Sequence, residues 1–139
     1  MIFGLFENKQ ARAFREETAN TLADADSLEK KDKKKIAKFV LLKIIEYMKE
    51  IEGLPIPSPE LDEVMKRHGA EAMQMRRAAI SELGAKDPDW LKAAILESFL
   101  IGNTRGYGKK ISEDILSMII QWIQTNAPED YKKYEKKYS

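Results

Sequence analysis

The chain has no cysteine and a single histidine, His68, in 139 residues. Absent cysteine excludes disulfide scaffolds, zinc fingers, iron–sulfur clusters and thiol catalysis. One imidazole excludes a carboxylate-bridged di-iron bundle, which needs two Glu-x-x-His units, and a Ser-His-Asp triad would have to use His68. Charge of one sign is lacking too: 24 Lys+Arg stand against 23 Asp+Glu, a formal net charge of +1. No global field therefore draws the chain toward nucleic acid or an anionic membrane, and such binding would need a local patch. Long apolar runs are missing. The opening MIFGLF stops at Glu7 without a basic segment before it, short of a secretory signal. FVLLKII and AAILESFLIG are too short to span a bilayer and carry Lys43 and Glu97. The expectation is a cytoplasmic protein without integral membrane association.

Strand patterning is also scarce. Leu54-Pro-Ile-Pro alternates, but its prolines exclude a central strand. No internal repeat occurs. What is present is apolar periodicity at helical spacing in a chain that is 43% hydrophobic and 34% charged. A first helix is expected from about Glu7 to Ala25, with Ala11, Phe14, Thr18, Leu22 and Ala25 three or four apart. A second runs from about Ser27 to Glu52, opened by a capping box of Asp26 and Glu29 and stopped by Gly53 and Pro55. Ile36, Phe39, Val40, Ile44, Tyr47, Met48 and Ile51 form one face of it, and Leu41, Leu42 and Ile45 make the other side apolar. Apolar on nearly every side, this helix is expected in the middle of the fold.

Leu54–Pro57 reads as an extended connector. Ser58 then caps a helix that begins at Pro59 and reaches Leu83, with Gly69 as a candidate break. Asp87 and Pro88 repeat the device for a fourth helix, faced by Leu91, Ala94, Ile95 and Phe99 and ending near Gly102. Ser112 is expected to cap a fifth, with Ile115, Met118, Ile119, Trp122 and Ile123 in register. A short last helix near Pro128 carries Tyr131, Tyr134 and Tyr138. The predicted fold is all-α: a compact bundle of five to six helices in a single domain, 1–139, with the second and fifth helices in its core.

Six features carry candidate chemistry. His68 shares a helix face with Leu61, Met65, Ala72 and Met75, and reads as a satisfied core histidine before a base or ligand. Lys43 lies inside an apolar arc, within reach of Glu46 or Glu50; pairing is the plain reading, and a nucleophile with depressed pKa the sharp one. Lys30, Lys31, Lys34, Lys35 and Lys38 line one side of the second helix as a solvated face. Ser58–Leu83 has the outline of a helix–turn–helix if Gly69 forms the turn, with Arg76 and Arg77 directed outward. Gly102–Lys110 departs from a Walker A loop in spacing, but its glycines and Arg105, Lys109 and Lys110 precede a helix N-terminus that attracts anions, and Tyr107 adds a stacking surface. Ser27-Leu-Glu-Lys30 matches S-x-x-K by chance, since S-D-N and K-T-G are absent.

Adjacent carboxylates such as Asp62-Glu63 do not converge on a helix. No set of acid, base, nucleophile and metal ligand can be assembled, so no catalytic, cofactor or metal residue is assigned. The expected role is a non-enzymatic interaction or regulatory module, with a protein partner or a second copy joined through Met1–Phe6 and the tyrosine-rich end. Nucleic-acid binding is the alternative, through 58–83 or the 102–110 loop, with Arg76, Arg77, Arg105, Tyr107, Lys109 and Lys110 as contacts.

Overall fold

The computed structural model describes residues 9–83, 88–104 and 109–138. Six helices follow one another: α1 (Lys9–Asp26), α2 (Lys30–Ile51), α3 (Pro59–Leu83), α4 (Pro88–Thr104), α5 (Lys109–Asn126) and α6 (Pro128–Tyr138). No strand occurs among the described residues.

Local chemistry sets most of the boundaries. Ser58 caps α3 as expected: its Oγ accepts the Leu61 N–H at 3.2 Å, and Pro59 occupies the first turn, where its missing N–H costs nothing. Gly53 ends α2 with φ +79°, a conformation that side chains rarely adopt. The α5–α6 joint is a helix interrupted at one residue. Ala127 N–H donates to Ile123 and Tyr131 N–H to Ala127, so the pattern runs on, except at Pro128, which has no N–H to give.

The expected capping box of α2 does not form. Residue Asp26 is the last of α1, and Glu29 holds the N-cap position without a side-chain hydrogen bond. The α1–α2 turn is instead closed by Ser27, whose Oγ donates to the Asp24 carbonyl at 2.6 Å. Asp26 Oδ1 accepts the Trp122 indole N–H at 2.8 Å, which joins the end of α1 to α5. Ser112 is likewise not a cap, because α5 already begins at Lys109.

Gly69 does not break α3. A methyl added there would meet no atom within 4 Å, and the helix passes through it. Glycine costs roughly 1 kcal/mol against alanine in a helix. Burial of Leu61, His68, Ala72 and Ala79 on both sides outweighs that penalty, since one buried leucine alone contributes about 2 kcal/mol. The turn that a helix–turn–helix requires is therefore not present.

The most enclosed element is α4. Leu91, Ala93, Ala94, Ile95, Leu96, Ser98, Phe99 and Leu100 are all buried, and α1, α2, α3 and α5 pack around them. The core continues through Ile36, Val40, Ile44 and Tyr47 of α2 and Ile115, Ile119 and Ile123 of α5. On α1, Thr18 and Thr21 are buried because each hydroxyl donates to a carbonyl one turn back, Phe14 and Glu17, at 3.0 and 2.9 Å. The expectation for α5 holds. For α2 it holds on one side only: Leu42 is 56% exposed and Met48 44%.

Candidate functional site

The sequence-predicted contacts scatter. Arg76 is turned inward: Nη1 donates to Glu97 of α4 at 2.9 Å, Nη2 lies 3.8 Å from Glu17 of α1, and its guanidinium sits 5.8 Å from the centre of the Trp90 ring. It ties α1, α3 and α4 together at a site where the Trp90 indole N–H is buried without an acceptor among the described residues. Arg77, one position on, is exposed. Arg105 and Tyr107 lie outside the described residues, as do the side chains of Lys109 and Lys110, whose backbone opens α5.

His68 is 6% exposed, its ring edge-on to Tyr47 with centroids 5.3 Å apart. Its Nε2 lies 3.0 Å from Glu50 Oε2. A carboxylate only accepts, so Nε2 carries the proton. Arg67 Nη2 donates to the same oxygen at 2.6 Å. The hydrogen bond from His68, followed by electrostatic attraction to His68 and Arg67, holds the Glu50 carboxyl below the usual range, against the opposing effect of burial. A hollow of about 660 Å³ opens beside Glu50, walled by Glu60, Glu63 and Arg67, but His68 is not in its wall. Among the described residues no three His, Asp or Glu side chains are placed to hold a metal ion.

Lys43 pairs across helices. Nζ donates to Glu71 of α3 at 2.9 Å and lies 3.6 Å from Glu46. The Glu71 hydrogen bond raises its pKa above the ordinary lysine value, against a smaller lowering by burial. A lysine nucleophile at neutral pH needs the opposite direction.

The feature that sequence reasoning missed lies on the far side of α2. At about 100° per residue, Leu41, Leu42, Ile45 and Met48 spread over an arc of roughly 120° centred on Ile45, adjoining the arc of Ile36, Val40, Ile44 and Tyr47. Leu41 is buried in the core, Ile45 is half-buried, and Leu42 and Met48 are exposed. Helix α6 runs along the edge of this arc. Two adjoining hollows of about 290 and 340 Å³ follow α2 and share Ile45, Lys49 and Tyr134 as walls. The floor is Leu41, Leu42, Ile45 and Met48. The same walls carry Lys38 and Lys49 of α2, which project between Ile45 and Leu42, and Lys133 and Lys137 of α6, with Asp130 and, at the far end, Glu52. Lys38, the last residue of the lysine face of α2, and Lys133 and Lys137 of the tyrosine-rich end thus line one groove. The signal was in the sequence as the second apolar side of α2; its exposure was not, because that depends on which helices remain to cover it.

Among the described residues no helix is long and apolar enough to cross a membrane. Compared with models of protein families, with curated proteins and with solved structures, the chain matches none.

Proposed function

We propose that the protein is a non-enzymatic interaction module and that the α2–α6 groove is its docking surface, working in the cytosol, where a chain without cysteine loses nothing to a reducing environment. One observation carries the reading: Leu42 at 56% and Met48 at 44% exposure stand open on α2 within a walled groove, whereas Met73 and Ile80 of α3 and Leu116 of α5, the other large apolar helix side chains exposed among the described residues, line neither hollow. Exposed apolar surface gathered in a concave strip is a recognised mark of an interaction site. Leu42, Ile45 and Met48 follow one another at three-residue spacing along the groove, a pattern that receives a helix laid into it.

Titrating the isotope-labelled chain with a leucine-striped helical peptide whose flanks are glutamine tests the reading by nuclear magnetic resonance. Amide shifts are expected along Leu41–Glu52 and at Tyr134, and their loss in the double variant Leu42→Ser/Met48→Ser. Shifts confined to other helices, or none at millimolar peptide, overturn it.

A further inference from the structure

We propose that the occupant of this groove is an acidic amphipathic helix of a partner protein, its apolar stripe on Leu42, Ile45 and Met48 and its carboxylates against the lysine rim. The inference rests on the docking reading and adds the chemistry of the partner.

Charge complementarity carries it. Lys38, Lys49, Lys133 and Lys137 stand in the walls from both helices, beside two acidic residues, Asp130 and Glu52. The positive charge is local, because the whole chain is at +1. It also extends beyond the groove: Lys34 and Lys35 lie one turn before Lys38 on α2, and Lys31 another turn back. From Leu41 to Glu52 the floor is roughly 17 Å long, about three turns of a docked helix. A helix of that length with leucines at i, i+3 or i+4 and i+7 and glutamates beside them satisfies floor and rim together.

Other occupants fit less well. A second copy seated on the same face through a two-fold axis would set one lysine rim against the other. A membrane surface is flat, and α6 walls one side of the groove, so headgroups would meet the lysines before acyl chains reached Ile45. Nucleic acid satisfies the lysines but leaves the apolar floor against phosphates.

The test uses three synthetic peptides with one leucine stripe and flanks of glutamate, glutamine or lysine, titrated into the full chain with amide shifts as readout. The glutamate peptide is expected to bind about tenfold tighter than the glutamine peptide at low salt, the sum of a few exposed ion pairs. The lysine peptide should bind more weakly still, and the differences should shrink as salt rises. Lys38→Glu/Lys133→Glu should reverse the order of the glutamate and lysine peptides without moving the shifted residues. Equal, salt-insensitive binding of all three at the groove overturns the acidic partner while docking stands. Shifts from no peptide overturn both. Groove shifts that need only a rise in the chain's own concentration assign the face to a second copy. Shifts from phosphatidylserine vesicles or duplex DNA without any from the glutamate peptide assign it to those ligands, and either result overturns the proposal.

Discussion

Helix α2 has two apolar sides with opposite fates. Ile36, Val40, Ile44 and Tyr47 are at most 3% exposed, sealed against α4 and α5. Leu42 and Met48, on the same helix and of similar hydropathy, stay open beside α6. Hydropathy records which side chains avoid water, not how many neighbours the chain has left to cover them. Helix α4 shows the contrasting outcome: its apolar residues point to nearly every side, and four helices enclose it. A difference set by coverage predicts different costs for equal truncations. Ile44→Ala removes atoms that the core holds on every side and is expected to cost about 2–4 kcal/mol. Leu42→Ala, losing a half-wet side chain, should cost under about 1 kcal/mol. Urea unfolding at unchanged slope measures both; equal costs would mean that the outer face is packed as firmly as the inner one.

A third side of α2, facing α3, is polar and sharpens the contrast. Glu50 meets His68 and Arg67 there, and Lys43 meets Glu71. The folded-state pKa of Glu50 is lowered, so its contribution is complete above the ordinary carboxylate range and is lost as pH falls through the folded value. Glu50→Gln is expected to cost about 1–2 kcal/mol at neutral pH, the worth of a partly exposed charged hydrogen bond. The gap between parent and variant should close as the solution is acidified, because the parent's carboxyl then becomes neutral as well. Unfolding midpoints from neutral pH down into the acid range read this directly, and a gap independent of pH would remove the charge from the account.

The fold was legible where one residue decides a boundary. Ser58, Pro59, Gly53 and Pro128 act through their own hydroxyl, ring or backbone freedom, and each does what its chemistry dictates. It was illegible where long-range partners compete. Asp26 and Glu29 have the spacing of a capping box, yet Asp26 bonds instead to the Trp122 indole, 96 positions away in sequence. Gly69 has the composition of a turn, yet burial on both sides carries the helix through it. Arg76 has the chemistry of a phosphate contact, yet Glu97 and Glu17 from two other helices hold it. The groove was half legible. Its floor and its lysines were each visible as separate faces, but their meeting depends on α6 lying beside α2, which partners distant in sequence decide.

A small expected effect per residue is the most telling for that groove. Leu42→Ser/Met48→Ser removes two apolar side chains that are already about half exposed, so roughly half of the transfer term that makes core truncations costly is absent. Neither residue belongs to the buried cluster of the core. Serine at two solvent-facing helix positions lowers helix propensity slightly, by a few tenths of a kcal/mol each. Each substitution is therefore expected to cost under about 1 kcal/mol by itself, well short of the Ile44→Ala cost. An apolar face that serves the fold would punish these changes like the inner side of α2, and a cost of several kcal/mol would place the face in the core. Near-neutral stability, with the helical circular dichroism of the parent, would instead leave Leu42 and Met48 without a structural reason to be apolar, so that the reason lies in what docks on them.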